Sequence, residues 1–133
     1  MATKYSVLSY LIGDYECLRE IEFDTTKNDN VEYILVTDRK DLKSKTWTVI
    51  YDPDLDKPHF NAFDRTFFIR YNLFKYAKHD ICVRFDHSFQ LVKPLDSLIE
   101  KFEEGNYDAC LMIHSGRNNI IDEYRAWVNF RGI

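Results

Sequence analysis

The sequence contains few glycines and none of the common glycine-rich phosphate-binding motifs. Only four glycines occur in 133 residues, and neither GxGxxG after a strand nor GxxxxGK[ST] is present. The GxSxG elbow, the HExxH pair and paired-cysteine metal spacings are missing as well. These absences exclude the two common glycine-rich nucleotide cradles and the most recognisable hydrolase and structural-zinc sites.

Positive charge and long apolar runs are also scarce. The chain has 18 basic and 22 acidic residues, a net charge of -4 and no basic block, so we expect no nucleic-acid partner. No apolar stretch approaches the roughly 20 residues that span a bilayer, so we expect no membrane span. The first 16 residues contain serines and acids but no cleavage pattern, which favours a first strand over a leader.

Cysteine is rare, and its three positions, Cys17, Cys82 and Cys110, have no CxxC spacing. An odd, unpaired set favours a reduced protein with a cytoplasmic location. The length of 133 residues, with 45% hydrophobic and 16% aromatic content, indicates one domain spanning residues 1–133.

Five short segments have the composition of β-strands. They are rich in Val, Ile, Tyr or Trp, are bounded by Asp, Asn, Gly or Pro, and several are apolar nearly throughout. Such strands are typical of a sheet covered on both faces, so we expect mostly parallel pairing. The predicted strands are residues 5–12, 31–37, 46–51, 81–85 and 109–113.

Helical patterns lie between and after these strands. Aromatic residues spaced by three and four predict a helix over residues 59–78 whose aromatic stripe packs into the core. A second helix follows Pro94 and ends before Gly105, and a third covers residues 120–129. The stripe comprises Phe60, Phe63, Phe67, Tyr71 and Phe74.

The alternation of strands and helices predicts an α/β fold of three layers, Rossmann-like, with helices on both faces of a mostly parallel sheet. Ligands of such sheets bind beyond the carboxyl ends of the strands. The candidate segments are therefore residues 13–16, 37–40, 86–88 and 114–117.

Polar residues follow the first two strands, and each has two interpretations. Tyr10 and the turn at residues 13–15 either offer a ring and backbone groups to a flat ligand or form a simple turn. Asp38 either accepts hydrogen bonds from ribose hydroxyls or stabilises a turn.

Asp86 follows the apolar strand at residues 81–85. A lone carboxylate at such a position either binds Mg²⁺ or Mn²⁺ together with substrate phosphates or starts a turn. In an extended chain Ser88 points to the same side as Asp86, whereas His87 points the other way. We therefore expect Asp86 and Ser88 to form the site and His87 to pack or support them.

Five motifs in order resemble those of a known family. Residues 7–15 match "VLSY.IG.Y", residues 33–50 match "Y.L.TD...L.S.TW.VI", residues 65–76 correspond to "R..K.N.HKY", and residues 80–89 correspond to "D.SIWIDGNI". The last motif, "H..RN.I..E", falls on His114, Arg117, Asn118, Ile120 and Glu123.

The chain thus resembles a glycosyltransferase-like family that includes plant mucilage-related and turgor-regulation proteins and bacterial capsule-locus proteins. The resemblance implies the A-type nucleotide-diphospho-sugar fold, a UDP- or GDP-sugar donor and a glycan acceptor. It also implies Mn²⁺ or Mg²⁺ on Asp86 and, where the family has a second acid, on Ser88.

The helix at residues 59–78 supplies two candidate cations for the donor. Arg70 corresponds to a cation of the family pattern and suits a phosphate, because a guanidinium can bind phosphate through two hydrogen bonds. Arg65 lies five residues earlier, about 140° around a helix, so it serves as an alternative or a salt-bridge partner.

Tyr10 and Asp38 are expected near the nucleoside. His114 and Arg117 are candidate substrate-side residues.

A-type transferases continue with strands that build the acceptor site, whereas this sequence ends at Ile133. We therefore expect a nucleotide-sugar-binding domain without the acceptor half. Its expected function is glycosyl transfer in polysaccharide or glycan synthesis. The alternative is a truncated, noncatalytic nucleotide-binding or protein-interaction module, and an exposed sheet edge would also allow a homo-oligomer.

Overall fold

The computed structural model describes the backbone of residues 2–14, 16–111 and 119–131. Side chains are described for the same residues except Glu123, Trp127, Phe130 and Arg131. The chain divides into two compact units, Met1–Ser97 and Leu98–Ile133.

The first unit contains a sheet of four parallel strands in the order β3-β2-β1-β4. Every residue of β1 is buried, as expected for a strand that is covered on both faces. The predicted α/β class and mostly parallel sheet are confirmed, and the four strand limits lie within two residues of prediction. The strands are β1 Tyr5–Leu11, β2 Val31–Thr37, β3 Thr48–Tyr51 and β4 Cys82–Arg84.

The strand order reverses at β1. The chain runs outward from β1 to β2 and β3, and then places β4 on the other side of β1. The carboxyl ends of β1 and β4 therefore border the topological switch point, where open α/β sheets bind their ligands.

Two helices, α1 Ala62–Tyr71 and α2 Leu73–Tyr76, replace the single helix predicted for residues 59–78. A capping box begins α1: Asn61 Oδ1 accepts from the N–H of Asp64 at 2.8 Å, and Asp64 Oδ2 accepts from the N–H of Asn61 at 3.1 Å. At Asn72 the N–H bonds to the carbonyl oxygen of Ile69 at 3.2 Å. This step of three residues tightens the turn and separates the two helices.

The prediction that the aromatic stripe packs into the core is wrong. Phe63, Tyr71 and Phe74 are 54%, 80% and 62% exposed, whereas Ile69 is fully buried. Phe67 stacks on Tyr71 with ring centroids 5.8 Å apart. Both sides of α1 carry large apolar residues, and the helix rests on the sheet through Ile69, which leaves Phe63 and Tyr71 of the stripe exposed.

The two faces of the sheet are covered differently within the first unit. On one face, Leu8 and Tyr10 of β1 belong to a core cluster with Ile69 of α1 and Tyr76 of α2. On the opposite face, the ring of Tyr33 contacts the rings of two residues from the β1–β2 and β2–β3 connections. These are Phe23 and Trp47, with centroids 5.9 and 6.3 Å from that of Tyr33.

Helix α3 Asp96–Glu104 and helix α4 Ile120–Arg131 agree with the predicted helices. Gly105 follows α3, and a Cβ there would lie only 2.0 Å from the Tyr107 ring, so no larger residue fits without rearrangement. The predicted fifth strand is not found at residues 109–111, and the rest of it lies outside the described residues. Among the helices described, none is long and apolar enough to cross a membrane.

Candidate functional site

Strands β1 and β4 end side by side, and polar side chains follow both ends. Leu8 pairs with Arg84, and the N–H of Phe85 donates to the carbonyl oxygen of Leu8 at 3.2 Å. Continuing this register by two residues brings Tyr10 next to Asp86. Side chains two residues apart in an extended strand share a face, so Arg84 projects to the same side as Asp86.

Four side chains form one hydrogen-bonded group, which we call the switch-point cluster: Tyr10, Arg70, Arg84 and Asp86. The Tyr10 hydroxyl donates to Asp86 Oδ1 and accepts from Arg70 Nε, the latter at 2.9 Å. Arg70 Nη2 lies 3.3 and 3.4 Å from the two Asp86 oxygens, and Arg84 Nη1 lies 3.3 Å from Asp86 Oδ1. Two guanidinium groups and one carboxylate leave the cluster with net positive charge.

The charged members of the cluster are accessible to a ligand. The side chains of Arg70, Arg84 and Asp86 are 33%, 32% and 46% exposed. Arg70 is braced by aromatic rings, because its guanidinium carbon lies 5.7 Å from the Tyr10 ring centroid and 5.5 Å from that of Phe67. Contacts with the folded chain therefore fix one side of the cluster, and the other side is accessible to solvent.

Tyr10 contributes a hydroxyl to the cluster, while its ring belongs to the core. The residue is 6% exposed and its ring belongs to the core cluster, so contact of the ring with a flat ligand stays a prediction. Burial and the hydrogen bond to Asp86 raise the pKa of Tyr10 to about 12, although Arg70 acts in the opposite direction. The hydroxyl therefore stays protonated at neutral pH and fixes the two charged partners.

Asp38 and Arg65 form a separate pair at the end of β2. Arg65 Nη1 donates to Asp38 Oδ2 at 2.7 Å, and the N–H of Gly13 donates to Oδ1 at 3.2 Å. Gly13 has a φ of 73°, which glycine adopts without strain. The Asp38 side chain is only 7% exposed. Its two hydrogen bonds connect the loops that follow β1 and β2 to α1. A ribose contact by Asp38 stays a prediction.

The two arginines of α1 serve different carboxylates. Arg65 binds Asp38 at the end of β2, and Arg70 binds Asp86 beyond the end of β4. Because the two arginines lie about 140° apart around the helix, their side chains point towards different strand ends. The salt-bridge role considered for Arg65 is thus confirmed.

His87 is a buried packing residue, as predicted. It is 1% exposed, and its Nε2 accepts from the backbone N–H of Arg19 at 2.7 Å. The other ring nitrogen, Nδ1, must then carry the proton that it donates to Ser9 Oγ at 3.1 Å. Burial, together with Arg19 and Arg39, lowers the pKa of His87.

Ser88 does not share the extended geometry expected for it. The chain turns at His87 and Ser88, and the N–H of Phe89 donates to the carbonyl oxygen of Asp86 at 3.0 Å. Ser88 is exposed in this turn. Side chains two residues apart share a face only while the backbone stays extended, and the turn at His87 and Ser88 ends that geometry.

The side chains around Asp86 fit a divalent cation poorly. Mg²⁺ and Mn²⁺ bind through oxygen ligands, yet the Asp86 carboxylate is shared by two guanidinium groups that repel a cation. In the described part of the chain, no group of three or more His, Cys, Asp or Glu residues is arranged to hold a metal. Mn²⁺ or Mg²⁺ on Asp86 and Ser88 stays a prediction.

Two of the predicted site residues, His114 and Arg117, lie outside the described residues. Among the described residues, the sequence interpretation missed Arg84. Its signal was present, because a cation two positions before Asp86 lies on the same side of an extended strand.

Comparisons of the chain with protein-family models, with curated proteins and with solved structures find no match. The glycosyltransferase resemblance of the motifs therefore stays a prediction. Fold and site together define an α/β protein with a cationic cluster at the topological switch point of a parallel sheet.

Proposed function

We propose that the chain binds a nucleotide-diphosphate sugar, UDP- or GDP-linked, at the switch-point cluster and transfers the sugar to a glycan acceptor. One observation carries the proposal: Tyr10, Arg70, Arg84 and Asp86 meet where the strand order reverses. This is the position at which open α/β sheets bind nucleotides. The motif resemblance supports the donor class and a role in polysaccharide or glycan synthesis.

The charge of the cluster suits a diphosphate. Guanidinium groups donate paired hydrogen bonds to phosphate oxygens, and Arg70 and Arg84 both reach the open side of the site. In glycosyl transfer negative charge develops on the leaving diphosphate. Fixed cations at this position would stabilise that charge and so lower the barrier.

We also propose a more specific fold than the parallel α/β sheet. A Rossmann-like, A-type arrangement of three layers would place helices on both faces of the sheet, continuing the pattern set by α1 and α2 on one face. Asp38 would then lie near the ribose, and His114 and Arg117 on the acceptor side. The strand order β3-β2-β1-β4, with its reversal at β1, supports this arrangement.

A second candidate is a noncatalytic module that binds a nucleotide or a protein. The observation that favours it is the exposure of the aromatic stripe on α1 and α2, in which Phe63, Tyr71 and Phe74 are more than half exposed. Exposed aromatic residues are enriched where proteins bind partners. Transfer or hydrolysis of a sugar nucleotide that is lost in Asp86→Ala would exclude this candidate.

Calorimetric titration with UDP, GDP and their sugar conjugates tests the first proposal. We expect a dissociation constant of about 1 mM or lower for one nucleotide, and binding at least about tenfold weaker in Arg70→Met. Lys4→Met is a charge-matched control, because this exposed lysine precedes β1 at its amino end, about 20 Å from Tyr10. Equal binding by Arg70→Met and the native chain would contradict the proposal.

A further inference from the structure

The hydrogen-bond distances separate two kinds of arginine–carboxylate pair in this protein. Arg65 lies 2.7 Å from Asp38, the distance of a well-formed charged hydrogen bond. Arg70 and Arg84 approach Asp86 no closer than 3.3 Å. The hydrogen bond at Asp38 is therefore short and its carboxylate is enclosed, whereas both guanidinium groups lie farther from Asp86, whose carboxylate is 46% exposed.

Arg70 and Arg84 retain hydrogen-bonding capacity. A guanidinium has five N–H donors. Arg70 donates from Nε to the Tyr10 hydroxyl and from Nη2 to the Asp86 carboxylate. Arg84 donates from Nη1 to the same hydroxyl and the same carboxylate. Within the described residues, Arg70 Nη1 and Arg84 Nη2 donate no hydrogen bond. These donors can bind phosphate oxygens without breaking the cluster.

The balance of charge favours an anion over a cation at this site. A divalent cation would bring two positive charges to a carboxylate that already lies beside two guanidinium groups. A diphosphate would bring negative charge to the same two groups and reduce their mutual repulsion. Electrostatics and hydrogen-bonding capacity therefore select the same kind of ligand.

We propose that the switch-point cluster binds the diphosphate of its ligand without a divalent cation. Arg70 and Arg84 hold the phosphate oxygens, and Asp86 is a positioning residue, because its Oδ1 accepts from both guanidinium groups and so keeps them side by side before the ligand arrives. The identity of the ligand as a sugar nucleotide rests on the proposed function, whereas the cation-independent binding of a diphosphate does not.

Asp86→Asn distinguishes this proposal from metal binding, because the two predict opposite effects. An amide keeps an oxygen that accepts from the arginines but removes the negative charge that competes with phosphate. Binding in EDTA is therefore expected to be unchanged or several-fold tighter. If a metal on Asp86 held the diphosphate, binding would need Mn²⁺ and would be lost in Asp86→Asn.

The experiment is calorimetric titration of the full chain with inorganic pyrophosphate in EDTA, and with UDP and GDP, each in EDTA or in Mn²⁺. We expect pyrophosphate to bind in EDTA, Mn²⁺ to change the UDP dissociation constant less than about threefold, and Arg84→Met to weaken both ligands about tenfold or more. Lys4→Met is again the charge-matched control. Circular dichroism and thermal melting establish that each variant is folded, and Arg84→Lys provides a second variant that keeps the charge but not the paired donors.

The outcomes separate the two proposals. If pyrophosphate binds in EDTA and depends on Arg84, and UDP and GDP bind no more tightly than pyrophosphate, the cation-independent site is supported but the nucleotide-sugar function is overturned. UDP that binds only with Mn²⁺ and is lost in Asp86→Asn supports the function and overturns the cation-independent site. Failure of pyrophosphate, UDP and GDP to bind under any of these conditions overturns both proposals.

Discussion

His87 shows how a polar residue beside the candidate site can serve the fold alone. Its two ring nitrogens bond to Ser9 of β1 and to the backbone of Arg19, and its ring lies edge-on to Trp47 with centroids 6.1 Å apart. Protonation would place a second proton on Nε2, which is the atom that accepts from the Arg19 N–H. The neutral imidazole is therefore the form that fits the folded chain.

This arrangement predicts that stability falls as the solution is acidified. The pKa of His87 in the folded chain is lower than its ordinary value of 6.5, so below that value the unfolded chain binds a proton that the folded chain excludes. The free energy of unfolding should therefore fall as the pH is lowered through 6.5, and this loss should be fully recovered above that pH.

Urea denaturation across this pH range measures the effect. In His87→Gln the chain should be less stable, but this part of the pH dependence should disappear, because glutamine does not titrate. His59→Gln is the matched control, since His59 is exposed. An undiminished slope in His87→Gln would show that another group causes the pH dependence.

At the scale of elements, α1 has two apolar sides and buries only one. The buried side carries Ile69, which belongs to the core cluster with Leu8 and Ile34 of the sheet. The outer side carries the stacked rings of Phe67 and Tyr71. The same helix also presents Arg65 and Arg70 to two different strand ends, so its rotation decides both the core and the site.

Paired substitutions on α1 test which side carries the stability. Ile69→Ala should lower the free energy of unfolding by about 2–5 kcal/mol, because it leaves a cavity in the core. Tyr71→Ala should change it by no more than about 0.5 kcal/mol, because the side chain is mostly in solvent. Urea denaturation of both variants measures the difference. A larger loss in Tyr71→Ala would mean that the outer side of α1 is covered in solution.

For the molecule as a whole, the sheet places its most protected strands in the middle. Strand β1 pairs on both sides, with β2 and with β4, and all seven of its residues are buried. Strands β3 and β4 have neighbours on one side only among the described residues. Backbone groups at a sheet edge open more readily than those in its centre.

Hydrogen exchange followed by mass spectrometry tests this order. Peptides that cover Tyr5–Leu11 and Val31–Thr37 should exchange most slowly, and those that cover Thr48–Tyr51 and Cys82–Arg84 should exchange sooner. If the β4 peptide were protected as long as the β1 peptide, β4 would not be an edge strand. That result would favour the larger sheet that the proposed A-type fold implies.

The strand limits, the strand-end positions and the end of α3 could be predicted from patterns of neighbouring residues. Strand β2 was predicted at its observed limits, because an apolar, β-branched run between Asn30 and Asp38 has few alternatives. The strand-end positions of Tyr10, Asp38 and Asp86 followed from the same runs. Gly105 likewise marked the end of α3. Each of these features depends on residues that are close together in the chain.

The remaining features depended on residues that are distant in the chain. Which side of α1 faces the sheet, and therefore the exposure of Tyr71, is decided by packing against β1 and β2. The turn at His87 and Ser88 ends the extended geometry from which the pair of Asp86 and Ser88 is predicted. The contact between Arg84 and Arg70 through one carboxylate arises from a helix and a strand that the chain order separates.

The sequence by itself thus determined the α/β class, the parallel strands and the carboxylate at the end of β4, since periodicity and composition act over a few residues. Only the tertiary structure decided that two arginines surround Asp86 and that the Tyr10 ring is buried. The physical reason is that the charge of a site is the sum over side chains brought together by strand order and helix rotation, and neither is encoded in any single segment.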